Sequence, residues 1–229
     1  MITPTPIRSG GTNSTLRAFT LIELLTVIAI IGVLAGIMIP MMGSAQEKAK
    51  KTKTRVQFNL WAGAMEGFKS TYGFYPQIDG SYANTGGSPN IVNSQKFSVA
   101  LTGRYIDGND LPSSATTSDK VGNSRKNSFY NFAQTELNSN VTPPVLWDSF
   151  NNTEIAVMYD KNADGLIKSD DVPKAPSVGA ASGGRYTPNL PIDFDLTQGI
   201  HAGAVFYSAG KGNPDNSPID PTAAVFSWQ

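Results

Sequence analysis

The sequence predicts an α+β chain, with a long N-terminal helix that is hydrophobic in its first half and a small antiparallel sheet behind it. Three observations lead there. Residues 24–42 contain no charged side chain, and as a helix they would be roughly 28 Å long, close to the ~30 Å hydrocarbon core of a bilayer. Val56, Leu60, Trp61, Ala64, Met65 and Phe68 then recur at three- and four-residue spacing, which draws one apolar stripe along a continuing helix. Finally, short apolar runs alternate with loops in a chain that holds 22 Gly and 15 Pro among 229 residues, which favours short strands in an antiparallel sheet.

The elements follow in order. Residues 1–18 form a short basic leader containing Arg8 and Arg17, and no well-defined signal-peptidase site follows the apolar stretch. Residues 19–42 are the membrane-length segment. Within it Glu23 is costly in hydrocarbon unless it finds a partner, which makes it a functional candidate. Gly32 and Gly36 form a G-x-x-x-G pair that lets another helix approach closely. Pro40 removes a backbone hydrogen bond and is expected to kink or open the helix locally.

Residues 43–76 continue the helix as an amphipathic stem. Its basic run, Lys48, Lys50, Lys51, Lys53 and Arg55, reads as a solvated face that could meet anionic headgroups or an acidic neighbour. Gly73 and Pro76 end the stem. Residues 77–229 form one globular domain. Segments 79–87 and 108–127 read as loop, 97–105 as a short helix or turn, and 129–137 as another short element. Residues 154–159, 200–209 and 225–228 read as strands.

Immediately after residues 154–159, Asp160, Asn162, Asp164 and Asp171 occupy positions 1, 3, 5 and 12 of an EF-hand-type loop. Gly165 stands at the sharp turn, and Leu166 offers its backbone carbonyl. Alternate short oxygen side chains pointing inward suit a hard cation, so Ca²⁺ is expected as a structural ion in residues 160–171. The departures are Asp171 where Glu is usual and Lys168 at position 9. An Asx-rich turn without metal is the competing reading.

Composition narrows the function. With 18 basic and 18 acidic side chains there is no field pointing to nucleic acid, and no Cys supplies a disulfide or a thiol. The single histidine, His201, has no triad pattern around it. Asp193 and Asp195 at i and i+2 would share one strand face rather than flank a glycosidic bond. An enzyme is not expected.

Residues 16–35, LRAFTLIELLTVIAIIGVLA, resemble the leader junction and N-terminal helix of type IV pilins and type II secretion pseudopilins. That resemblance implies cleavage by a prepilin peptidase between Ala18 and Phe19 and methylation of the new Phe19 amine. The family has Gly where this chain has Ala18, a departure at the scissile bond. The resemblance further implies a helix stem lying against a small antiparallel sheet, and a Phe19 amine on a neighbouring subunit as the partner of Glu23. It also implies possible unwinding between Gly32 and Pro40 in the filament. The implied partners are further copies of the chain, minor pseudopilins or pilins, the peptidase, and the inner-membrane assembly platform.

The leader would then lie in the cytoplasm and the domain outside it, first anchored in the inner membrane and afterwards in a periplasmic or surface filament. A simple positive-inside count favours the opposite orientation, since more basic residues follow the apolar segment than precede it. The Gly73–Pro76 helix ending, the calcium-type loop, the lack of a Cys-closed loop and the segment 206–213 resemble pseudopilins more than pilins. The alternative is a membrane-anchored, calcium-stabilised adhesion or binding module.

Overall fold

The computed structural model describes residues 19–78, 90–112 and 121–228. The leader with Ala18, all of the first expected loop and part of the second lie outside the described residues. Helix α1 spans Leu21–Tyr72. The backbone is assigned as helix across Pro40. The chain divides into two compact units that meet between Ala45 and Gln46, inside α1.

In the first unit the apolar side chains of α1 are not covered by other described residues: Leu21 is 82% exposed and Ile39 71%. In the second unit α1 turns Phe58, Trp61, Met65 and Phe68 fully inward, a helical repeat in which each residue sits one turn from the last. Thr54 and Gln57 share this buried side. Val56 and Leu60, expected on the inward stripe, are about half exposed at 53% and 54%. They fall between the turns that Phe58 and Trp61 commit to the core. Gly73 ends the helix as expected, adopting φ +83° and donating its N–H to the Lys69 carbonyl at 2.7 Å.

Helix α2 (Ser94–Thr102) begins three residues before the expected position, because the Asn93 side chain caps it by accepting the Lys96 N–H. It buries Phe97 and Leu101. A single 3₁₀ turn (Gln134–Glu136) leads into β1 (Leu137–Asn138), which pairs antiparallel with β2 (Val145–Leu146). Strand β3 (Ile155–Tyr159) follows, then the hairpin of β4 (Val178–Gly179) and β5 (Arg185–Tyr186), then β6 (Ala204–Ser208) and β7 (Val225–Phe226).

The main sheet has the order β3-β6-β7, antiparallel throughout, with Val157 opposite Phe206 and Tyr207 opposite Phe226. All five residues of β3 and of β6 are buried, so the strands lack the polar alternation of a half-solvated sheet. One face, with Val157 and Phe206, packs with Phe58, Trp61 and Phe97. Trp61 sits edge-on to Phe97 at 5.2 Å and to Phe206 at 5.7 Å. The other face, with Met158, Val205 and Tyr207, is covered by Val172, Val178, Tyr186 and Phe194. The long N-terminal helix packed against small antiparallel sheets is the α+β arrangement that the sequence predicts, and it is pilin-like.

Candidate functional site

The N-terminal segment is built around one short motif. Thr20 precedes the first helical residue, and its hydroxyl accepts the Glu23 N–H at 3.3 Å. The Glu23 carboxylate reaches back to accept both the Thr20 N–H and the Thr20 hydroxyl, each at 2.8 Å. This is a reciprocal capping box, which satisfies amides that a helix start leaves unpaired. Glu23 therefore has an intramolecular partner, a role its isolation in an apolar run did not suggest. The same contact holds the carboxylate next to Phe19, where the resemblance places the new amine.

Beyond the cap, the helix contains an 18-residue stretch of mean hydropathy 2.6, none of it buried within the protein. A Cβ added at Gly32 or Gly36 would meet nothing within 4 Å. Both glycines thus present bare backbone on an uncovered helix, where another helix could approach closely.

The acidic loop lies between β3 and the residues that lead into β6. The Asp160 N–H bonds to the Gly203 carbonyl at 2.9 Å, and Ile167 pairs with Ile200. Asp160 is buried, and its two oxygens accept the N–H groups of Asp164 at 3.2 Å and Gly165 at 2.8 Å. Asn162 Oδ1 accepts the Asp164 N–H at 3.0 Å. Asp171, also buried, accepts the N–H groups of Lys161 at 2.8 Å, Asn162 at 3.3 Å and Lys168 at 3.1 Å. Gly165 takes φ +87°, the left-handed turn expected at this position.

The residues chosen for calcium thus wind into one loop, with Asp160 and Asp171 as its anchors. Their amide contacts leave acceptor lone pairs, because an ionised carboxylate offers about four sites. Lys168 Nζ lies 3.0 Å from Asp164 Oδ2, which holds that carboxyl below its usual range and raises the lysine. Lys69, from α1, places its ammonium 3.8 Å from Asp160 Oδ2. Among the described residues, no three acidic or histidine side chains gather closely enough to hold a metal ion. Asp160 and Asp171 keep acceptor capacity, whereas Asp164 Oδ2 is taken by the Lys168 ammonium.

A buried polar centre escaped the sequence reading. Asp148 is 2% exposed, with no basic side chain bonded to it among the described residues. Its Oδ1 accepts the N–H groups of Phe150 and Asn152, and its Oδ2 accepts Asn152 Nδ2 at 2.9 Å and the Ser208 hydroxyl at 2.6 Å. Asn152 goes on to donate to the Gly210 carbonyl and to accept the Ala181 N–H. Burial pushes the Asp148 carboxyl up, while these four donors pull it partly back. The network ties the end of β6 to the β2–β3 loop. No local signal could have revealed it, since Asp148 and Ser208 are 60 positions apart.

A second cluster lies near the stem's end. Tyr75 donates its hydroxyl to Glu66 and accepts from Lys69 Nζ at 3.4 Å. Burial and the Glu66 carboxylate push the Tyr75 phenol up. Asp193 accepts the Tyr186 hydroxyl at 2.8 Å, whereas Asp195 caps a turn at Thr197. His201 is exposed in the turn before β6.

A capped, membrane-length apolar helix thus continues into a stem packed on an antiparallel sheet. Residues 15–39 match the prokaryotic N-terminal methylation motif, which places the chain in the type IV pilin and pseudopilin superfamily. The motif implies processing by a prepilin peptidase, an inner-membrane-anchored precursor and pilus assembly. No curated protein and no solved structure matches the chain.

Proposed function

We propose that the chain is a structural, non-enzymatic subunit of a type II secretion pseudopilus or a related type IV pilus-like filament. The observation that carries this reading is the exposed apolar half of α1, which begins at the Thr20–Glu23 box. In the precursor, lipid covers that surface. In the filament, the same surfaces of other copies cover it, with Gly32 and Gly36 allowing close approach. Cleavage between Ala18 and Phe19 frees an amine, and Glu23 of one copy meets the Phe19 amine of the next, since its bonds to Thr20 are neutral and leave the charge without a counter-ion in apolar surroundings, which is costly. Minor pseudopilins or pilins and an inner-membrane assembly platform complete the partner set. Glu23→Ala tests the pairing: sheared filaments should disappear while the full chain still accumulates in the membrane, and normal filament yield would overturn it.

Ca²⁺ is proposed as the structural ion of residues 160–171, held by Asp160, Asn162, Asp164, Asp171 and the Leu166 carbonyl. Two buried carboxylates anchored on backbone amides support this. Calcium should raise the thermal midpoint of the full chain in detergent, and Asp160→Ala or Asp164→Ala should remove the effect. No calcium response in the unmodified chain would end the proposal.

A further inference from the structure

The second half of α1 leaves one strip uncovered. Lys53, Val56, Leu60 and Gly63 follow one another at helical spacing and all are exposed. A Cβ at Gly63 would meet nothing within 4 Å. Lys53 makes no ion pair or side-chain hydrogen bond among the described residues, and Lys50 beside it lies over the Phe150 ring at 5.7 Å.

Another flank of the same helix is occupied by the chain's own C-terminal loop. Lys51 Nζ donates to the Thr222 carbonyl at 2.9 Å, Arg55 Nε donates to the Phe226 carbonyl at 3.3 Å, and Lys211 pairs with Glu47 at 3.0 Å. At about 100° per residue, Lys53 lies roughly 160° around the helix from Lys51. The loop of residues 211–222 and the uncovered strip therefore lie on nearly opposite sides of the stem, at the same level along it.

The loop's chemistry complements the strip. It exposes Pro214, Asp215, Pro218, Asp220 and Pro221. Asp215 Oδ1 accepts the Ser217 N–H at 3.0 Å, and Asp220 Oδ1 accepts the Thr222 N–H at 2.8 Å and hydroxyl at 2.6 Å. Each carboxylate is thus fixed through one oxygen, and neither is ion-paired among the described residues. Three proline rings present apolar surface at little conformational cost.

We infer that the 211–222 loop of a second copy of this chain docks on the Lys53–Val56–Leu60 strip, with its prolines over Val56 and Leu60 and Asp215 and Asp220 facing Lys53 and Lys50. Different patches on opposite sides of one stem make a heterologous contact, which repeats from copy to copy without closing on itself. The contact rests on the filament reading above and deepens it by naming the lateral neighbour. An anionic lipid surface would satisfy the lysines alone and would leave Val56 and Leu60 unexplained.

The test uses the full-length chain, expressed with its peptidase and assembly platform, and quantifies sheared filaments. Lys53→Asp and Asp220→Lys should each lower the yield roughly three- to fivefold, with the thermal midpoint of the domain unchanged, and the double exchange should restore it. The chain has no cysteine, so Lys53→Cys combined with Asp220→Cys can be joined with a short bis-maleimide. A ladder of dimers and higher multimers is expected from the pair and none from either single variant. Normal filaments from both single charge variants, with no ladder, would overturn this contact and leave the filament reading standing. No filaments from the unmodified chain would remove both. If Lys53→Asp abolishes binding to anionic vesicles without changing filament yield, the strip faces lipid and the inference fails.

Discussion

The two halves of α1 obey the same helical geometry and solve opposite problems. In the second half, Phe58, Trp61, Met65 and Phe68 are fully buried against a sheet and a short helix of the same chain. In the first half, side chains of similar hydrophobicity such as Leu21, Val33 and Ile39 are 82%, 65% and 71% exposed. The stem's partners are encoded in cis. No described residue covers the first half, and so long an apolar surface is not tolerated in water, which is why lipid and then other copies are proposed to cover it. A helix can thus be an internal core element at one end and an intermolecular one at the other, with only the neighbouring sequence deciding which.

The sharpest way to break the contrast is to truncate both halves alike. Trp61→Ala removes a ring packed against Phe97 and Phe206, and it should lower the stability of the full chain in detergent by roughly 3–5 kcal/mol, read by thermal or denaturant unfolding. Asp148→Ala comes next. It leaves the buried donors of Asn152, Phe150 and Ser208 without their acceptor, at a cost of roughly 2–4 kcal/mol.

Asp148 also gives the sheet a pH signature. Burial raises its pKa in the fold, so the folded chain keeps this proton to higher pH than the unfolded chain does. Its contribution is fully present below the unfolded value and is lost as pH rises through the folded one. Stability should therefore slope downward just above the ordinary carboxylate range, and Asp148→Asn should flatten that slope. An unchanged slope would contradict the assignment.

Calcium at a hundredfold excess over its dissociation constant should add about 2.7 kcal/mol if the loop binds it, and Lys168→Gln should strengthen binding by freeing Asp164. The smallest effect belongs to the first half of α1. Ile30→Ala should change domain unfolding by less than about 0.5 kcal/mol, since no part of the domain's core involves it. Its consequence should appear in filament yield instead.

Much of this arrangement was legible because it is local. The strand at residues 155–159, the stem's end at Gly73 and the left-handed turn at Gly165 each follow from a run or a residue whose preference no distant contact overrides. The expected strand over residues 200–209 proved to be β6 alone, Ala204–Ser208, because Ile200 is committed to a bridge with Ile167. Val56 and Leu60 share the three- and four-residue apolar spacing of the stripe and still face outward. The phase of the stem is set instead by the aromatic residues that fit the sheet, and Thr54 and Gln57 are carried inside with them. Glu23 stands out in the sequence as the lone charge in an apolar run, but its bond with Thr20 follows only from where the helix starts.

The mass of the mature chain in the membrane or filament fraction decides whether the first half of α1 is an assembly surface or a plain anchor. A chain that begins at N-methylated Phe19, with residues 1–18 removed, is the expected result. A chain that retains those residues, with an unmodified Phe19 still joined to Ala18, would contradict it.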